Sequence, residues 1–324
     1  MKKTLCIIAL LLIAGNAFAE FSKVGSAGAQ FLKIGVGSRY QAMGDASVAC
    51  VSDVYAAYWN PAGLAEIDNS AVSFTNVNWV LDVNLNYAAL AHYFEDVGTF
   101  AVSATVLSMD DQEITTLEEY EGTGDYYSAS SYAVGLSYAR MLTNRFSFGA
   151  TVKYVGERIH HENANGFAFD MGTQLYTGFK SLRLGMSISN LGPEMEFTGS
   201  DIDFREDDGT DASYITTQYD LPMVFRFGLA YDLETGPNSV LTLSSELKHP
   251  NDNIQQGALG AEWGFRNQYF LRGGYKINYE EEGLTFGGGL QTAMGSETRL
   301  VIDYAWQDFG RLDNTHRFSV GFTF

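Results

Sequence analysis

The sequence predicts an all-β protein, a 14-stranded antiparallel transmembrane β-barrel with an N-terminal hatch or plug segment. Three observations predict this fold. From Ala71 to the C-terminus, apolar and polar residues alternate with period two in segments of about ten residues, the length of a tilted membrane strand. Aromatic residues make up 14% of the chain and glycine contributes 34 residues, and both values are high for a soluble enzyme. The first residues carry the pattern of an export signal.

Residues 1–19 are predicted to form a cleaved signal peptide. A short basic start precedes an apolar run, and Ala17-Phe18-Ala19 has the small-x-small pattern that a signal peptidase reads, so we expect cleavage before Glu20. The apolar run is too short for the alternative, a retained helical anchor. Cleavage removes Cys6 and leaves Cys50 alone, which excludes an intramolecular disulfide and a cysteine metal cluster.

The negative net charge of the chain argues against nucleic acid as a partner. The chain has 39 acidic and 20 basic residues, a formal net charge of −19, so it lacks the basic surface that a nucleic-acid binder needs to neutralise phosphates. After the signal, no apolar run approaches the roughly 18 residues of a membrane-spanning helix. We therefore expect contact with membrane lipid through strands, and no nucleic acid.

Each strand is identified by its alternation. In the last segment, Phe318, Val320 and Phe322 point to one face while Arg317 and Ser319 point to the other. The other segments repeat this pattern, often with an aromatic residue near one end. The fourteen predicted spans are 71–79, 83–94, 98–108, 129–141, 145–156, 165–177, 181–190, 223–234, 239–248, 256–265, 269–279, 284–293, 297–306 and 316–324.

The connections between these spans test the strand count. Those after even-numbered strands hold 3, 3, 3, 4, 3 and 3 residues, and those after odd-numbered strands hold 3, 20, 8, 32, 7, 4 and 9. Outer-membrane barrels have short periplasmic turns and longer external loops in strict alternation. A secreted β-sandwich is the alternative, but its strands are shorter, at about five or six residues, and it requires no such alternation.

Charged residues on the polar face of the strands are expected to face the lumen. Such groups either form structural ion pairs across the interior or form a selectivity ring, and the sequence leaves both interpretations open. The predicted lumen-facing charges are Lys153, Arg183, Arg226, Glu246, Lys248, Arg272, Lys276, Arg299, Asp303 and Arg317.

The two longest connections are acidic. Residues 109–128 hold seven carboxylates, and residues 191–222 hold nine with Arg205 as the one base. Clustered oxygens suit calcium, but the spacing does not match the twelve-residue calcium loop, and a solvated acidic loop is the main alternative. His160-His161 is interpreted as a pair of surface histidines. The residues considered for calcium are Asp201, Asp203, Asp207, Asp208 and Asp211.

No catalytic motif is found. The sequence has no nucleophile elbow, no phosphate-binding loop and no HExxH zinc motif, so we expect a non-enzymatic protein without a cofactor. A hidden serine–histidine pair, as in barrel lipases, is the remaining alternative.

The segment between the signal and the first strand does not alternate and is rich in small residues. It contains Phe31-Leu32-Lys33-Ile34-Gly35, Ala42-Met43-Gly44-Asp45-Ala46 and Trp59-Asn60-Pro61-Ala62-Gly63-Leu64, and the C-terminus adds Thr315-His316-Arg317 and the closing Phe324. These pieces resemble the PorV/PorQ family of the FadL-like outer-membrane barrels, in which Asn60, Pro61 and Ala62 match the NPA element of the hatch.

The resemblance implies a division into a signal peptide (1–19), a hatch segment (20–69) and a barrel (70–324) in the bacterial outer membrane. It implies a role in type IX protein secretion, with a secretion translocon and secreted substrates as partners. The alternative is transport of a hydrophobic small molecule, and a purely structural barrel is a third reading. Phe324 is expected to be an assembly signal for the barrel-assembly machinery, because it ends an alternating aromatic strand.

Overall fold

The computed structural model describes residues 24–205, 211–295 and 298–324, so the predicted signal peptide lies outside the described residues. Within these residues, fourteen long strands form the wall of the molecule. Their bounds are β1 Ser70–Asn78, β2 Asn84–Phe94, β3 Gly98–Ser108, β4 Ala129–Thr143, β5 Phe146–Ile159, β6 Glu162–Tyr176, β7 Arg183–Leu191, β8 Val224–Gly236, β9 Ser239–Pro250, β10 Gln256–Phe265, β11 Tyr269–Ile277, β12 Leu284–Met294, β13 Thr298–Gln307 and β14 Thr315–Thr323.

These strands form one closed antiparallel sheet. Each strand pairs with its neighbours in sequence, and β1 also pairs with β14, with Ala71 opposite Thr323. Phe324 completes this pairing, because its N–H donates to the carbonyl of Ser70 at 2.8 Å and its own carbonyl accepts from Ser70 at 2.9 Å. The predicted 14-stranded antiparallel barrel is confirmed, and the two-sheet sandwich is wrong.

The strict alternation of connection lengths fails on both sides of β6. The connection between β6 and β7 was expected to hold three residues, but it holds six, 177–182. The connection between β5 and β6 was expected to hold eight residues, but it holds only His160 and His161. The two strands stay paired up to Ile159 and Glu162, beyond the expected length of a membrane strand. The long connections 109–128 and 192–223 both follow odd-numbered strands, and we call their end of the barrel the external end and the opposite end periplasmic.

The outer wall is apolar and the inner wall is polar. Large apolar side chains such as Leu136 and Leu271 are exposed on the outside, at 57% and 62%, while alternate residues such as Ser137 and Arg272 are buried inside. A continuous apolar outer surface is unfavourable in water but stable against lipid. No helix of the described residues is long and apolar enough to cross a membrane.

The N-terminal segment, residues 24–69, lies inside the barrel. It contains two short helices, α1 Ser38–Ala42 and α2 Ala56–Trp59, and two 3₁₀ turns, Gln30–Lys33 and Pro61–Glu66. Gly28 donates a hydrogen bond to Asp220 in the second long loop, at the external end. The segment then continues through the lumen and enters β1 at the periplasmic end.

The long external loops have secondary structure of their own. In the first, Gln112–Glu113 pairs with Tyr126–Tyr127, and in the second, Asp203–Arg205 pairs with Asp211–Ser213. Thr198–Gly199 pairs with the start of β6 and extends the sheet at the external end. Part of the second loop is therefore held against the hairpin formed by β5 and β6.

Candidate functional site in the filled lumen

Glycines on the inner wall bring the N-terminal segment into direct contact with the strands. A Cβ at Gly149 would lie 2.3 Å from the backbone carbon of Pro61, and one at Gly185 would lie 2.2 Å from the carbonyl of Val48. A Cβ at Gly274 would lie 2.3 Å from the backbone nitrogen of Gly44. Any side chain at these positions would push the segment away from the wall. Glycine therefore permits backbone-to-backbone packing on β5, β7 and β11.

Asn60 links the segment to the wall through its side chain. The amide of this fully buried residue donates to the carbonyl of Val48 at 2.7 Å and to the carbonyl of Thr173 on β6 at 3.1 Å. Its amide oxygen accepts from the N–H of Ala62 at 3.2 Å and so caps the turn that begins at Pro61. The Asn60-Pro61-Ala62 element lies in the periplasmic half of the lumen, where one side chain joins three backbone segments.

A buried ionic cluster anchors α1 to the periplasmic half of the wall. The Arg39 guanidinium donates to both carboxylate oxygens of Glu262, at 2.9 and 2.7 Å. The same carboxylate accepts from Arg272 at 2.5 Å, and Arg272 also donates to Asp303 at 2.5 Å. Buried charges are stable only when paired and hydrogen-bonded, and here Arg39 of the N-terminal segment supplies the second positive charge beside two carboxylates of the wall.

A second cluster anchors the segment nearer the external end. The Lys276 ammonium contacts Asp45 of the segment at 2.6 Å and also bonds to Glu282. Lys33 pairs with Asp252 at 2.8 Å, and Asp252 lies in the connection between β9 and β10. The segment therefore contributes charges of both signs, each matched by an opposite charge on the barrel.

Carboxylates of the barrel also hold backbone amides of the segment. Glu246 on β9 accepts from the N–H groups of Ser47 and Val48, both at 2.9 Å. Glu157 on β5 accepts from the N–H of Ala29 at 3.1 Å and from the Tyr219 hydroxyl at 3.0 Å. Burial and the neighbouring Glu157 carboxylate raise the pKa of Tyr219, which keeps this phenol protonated as a donor.

The other predicted lumen charges divide into paired and unpaired groups. Lys153 pairs with Asp170 at 2.8 Å and Arg183 with Asp232 at 2.7 Å. Arg226 lies 3.5 Å from Glu246. Three predicted charges have no ion-pair partner within 24–205, 211–295 and 298–324: Arg299, which is exposed on the periplasmic rim, Lys248, and Arg317, which is buried and bonds to Gln307 and Thr315.

The segment separates two cavities. The external cavity has a volume of about 270 Å³ and is lined by aromatic and charged side chains, among them Trp79, Tyr279, Phe309, Lys248 and Arg317. The periplasmic cavity is smaller, about 170 Å³, and is lined by residues that include Arg39, Asp53 and Tyr55. Val36, Tyr40 and Met43, which are buried almost completely, belong to the part of the segment between them.

The sequence reasoning missed the charges that the N-terminal segment contributes. Lys33, Arg39 and Asp45 are isolated charges in a run of small and apolar residues. Since an unpaired charge is costly in such surroundings, their presence was a signal that partners exist on the barrel. Among the residues considered for calcium, Asp207 and Asp208 lie outside the described residues, whereas Asp201 lies beside His161.

The fold is that of the FadL-type outer-membrane channels. The CymD monoaromatic hydrocarbon channel superimposes with a TM-score of 0.60 at 12% identity, over 90% of this chain and 97% of that one. The Pseudomonas putida toluene transporter TodX has a TM-score of 0.58 at 11% identity, over 89% of this chain and 97% of that one. A Pseudomonas aeruginosa FadL homologue has a TM-score of 0.54 at 12% identity, over 89% and 98%.

Within this class the sequence identifies the family. The profile of the Type IX secretion system protein PorV matches residues 18–246. The chain therefore belongs to the PorV family, and it is an outer-membrane β-barrel, as the sequence predicted. No curated protein matches the sequence.

Proposed function

We propose that this protein is a non-enzymatic component of type IX protein secretion, working at the external face of the outer membrane. The observation that carries the proposal is the match of residues 18–246 to the PorV family. Its partners would be a secretion translocon and the secreted substrates.

The filled lumen supports a role at the surface of the barrel. Buried ion pairs and backbone contacts hold residues 28–64 against the inner wall, so a secreted polypeptide would need to remove the whole segment to pass. The two long external loops are acidic, and most of their described residues are exposed. We therefore assign substrate or translocon contact to residues 109–128 and 192–223.

The test is a complementation experiment in the native host. Cells lacking the gene receive the wild type or a variant in which residues 112–127 are replaced by a Gly/Ser linker of equal length. This replacement removes the small hairpin in the first loop and leaves β3 and β4 intact. We expect the wild type to restore export of the type IX substrates and the loop variant to reduce it severalfold at equal amounts of folded barrel.

A variant with a Gly/Ser replacement of the periplasmic turn 266–268 serves as the control, since it changes the opposite end of the barrel. Normal export from cells without the gene would contradict the secretion role. Normal export with the loop variant would contradict the assignment to the first loop.

Transport of a hydrophobic small molecule is the second candidate, and the external cavity favours it. Trp79 and Phe309 pack edge to face, with ring centroids 5.1 Å apart, at the wall of this cavity. Solved channels with this fold are described as a monoaromatic hydrocarbon channel and a toluene transporter. An aromatic guest of that size would fit a cavity of about 270 Å³.

Uptake of labelled toluene tests this candidate. Trp79→Ala should lower the uptake rate severalfold if the guest enters through the external cavity. Trp263→Ala is the matched control, because this tryptophan lies on the outer wall and is 39% exposed. Uptake no faster than in cells without the protein would exclude transport of toluene.

A further inference from the structure

The β5–β6 hairpin and the second long loop bring together three metal-binding side chains. His160 and His161 form the whole connection between the strands, and their rings stack with centroids 3.6 Å apart. Asp201 lies beside them, with one carboxylate oxygen 3.4 Å from Nδ1 of His161. One ligand atom from each residue lies within 4.8 Å of the other two.

Backbone pairing holds the loop in this place. Thr198 and Gly199 pair with Asn163 and Glu162, which places the loop at the edge of β6. The Glu162 carboxylate accepts from the backbone N–H of Asp201 at 2.7 Å. Pairing between the two segments therefore brings Asp201, which is distant in sequence, to the two adjacent histidines.

The surroundings of the three residues suit a cation. The second oxygen of Glu162 is buried and has no hydrogen-bond partner in the part of the chain that the structure describes. The Arg158 guanidinium donates to the backbone carbonyl of His160 at 3.1 Å and so leaves the imidazole nitrogens free of this contact. Asp201 and Glu162 thus place two carboxylates next to the histidine rings.

The types of ligand atom in the site indicate which class of metal ion it would bind. Imidazole nitrogen with one carboxylate suits zinc and similar divalent transition metals, whereas calcium requires six or more oxygens. In a tetrahedral zinc site the ligand atoms lie roughly 3.3 Å apart, given zinc–nitrogen bonds of about 2.0 Å. The His161–Asp201 distance of 3.4 Å already matches this edge. One ring nitrogen of His160 lies within 4.8 Å of the other two ligand atoms, so His160 completes the set of three protein ligands.

We propose that His160, His161 and Asp201 form a binding site for one divalent transition-metal ion, with a water molecule in the fourth position. The ion clamps the 32-residue loop 192–223 to the tip of the β5–β6 hairpin. The metal site does not rest on the proposed secretion role, because it is argued only from the positions of these three side chains.

Isothermal titration of zinc chloride into the tag-free barrel in detergent tests the site. We expect one zinc ion per barrel, and His161→Ala or Asp201→Asn should weaken binding at least about tenfold, because even the loss of a residue that only orients a ligand costs about 10- to 100-fold in metal affinity. His92→Ala is the matched control, since His92 is an exposed histidine on a different strand and should leave the affinity unchanged.

Limited proteolysis gives a second readout that does not depend on binding heat. Zinc should slow cleavage within 192–223 in the wild type and leave the rate unchanged in His161→Ala. Equal zinc affinity in all variants, or no saturable binding by a heat-modifiable wild type, would overturn the proposal. So would calcium that binds the wild type as tightly as zinc, because it would identify an oxygen site in the acidic loop.

Discussion

At the scale of single residues, Asn60 connects two parts of the N-terminal segment to each other and to the barrel. Its side chain bonds to Val48, Thr173 and Ala62, and it has no exposed surface. Asn60→Ala leaves the carbonyl of Thr173 without this donor, and a buried polar group that loses its partner costs about 1–3 kcal/mol. Because the strands keep their own hydrogen bonds, this cost destabilises the bound segment rather than the barrel.

We therefore expect Asn60→Ala to raise single-channel conductance, alone or combined with Pro61→Ala, at equal amounts of heat-modifiable protein. The control is Asn238→Ala, which changes an exposed asparagine in a turn between β8 and β9. If the conductance of Asn60→Ala equals that of this control, the element is a simple turn and not a latch.

A second prediction at the residue scale concerns Gly149, where the wall contacts the turn after Asn60. Its missing side chain leaves room for Pro61 and Ala62, whose backbone atoms would lie 2.3 and 2.6 Å from a Cβ. Gly149→Ala should therefore displace the turn after Asn60 and speed hydrogen exchange in residues 62–66 about tenfold or more. Gly273→Ala is the control, since its nearest neighbour would lie at 3.6 Å. Unchanged hydrogen exchange in residues 62–66 would mean that the added methyl group displaces the barrel wall and not the segment.

At the scale of elements, the end of β14 closes the barrel. Both backbone groups of Phe324 bond to Ser70 at the start of β1, and its ring is 53% exposed on the outside. Deleting Phe324, or replacing it with Asp, removes an apolar group from the lipid-facing end of this pairing. We expect both variants to lower the assembled amount severalfold and to leave unfolded protein in the periplasm.

Phe324→Tyr is the matched control, because it keeps an aromatic ring at the membrane interface. Assembly is measured by the heat modifiability of outer-membrane fractions. If the deletion and the Asp variant assemble normally, Phe324 is not an assembly signal.

At the scale of the whole molecule, closure of the sheet determines how the protein denatures. The inter-strand bonds from β1 around to β14 leave no open edge, so the barrel should resist detergent until it is heated. We expect the mature protein in the outer-membrane fraction, with different gel mobility before and after boiling. A soluble periplasmic monomer would contradict the membrane location.

The sequence alone determined the number of strands and the family. Period-two alternation is a local property, since each residue faces lipid or lumen according to its own strand, and all fourteen strands could therefore be found without knowing their partners. The small-residue run around Asn60 also marked a segment unlike a strand. The connection between β5 and β6 was overestimated because pairing beyond the membrane carries no lipid-facing signal.

Only the tertiary structure decided which partner each lumen-facing charge has. Arg39 meets Glu262 across 223 residues of chain, and Lys276 meets Asp45 inside the closed barrel. Whether a lumen-facing charge is paired with the segment, like Lys276, or exposed at the rim, like Arg299, depends on its position along the barrel axis. The register and the closure of the sheet determine this position along the axis. Both are properties of the whole sheet, so alternation within one strand cannot predict the position.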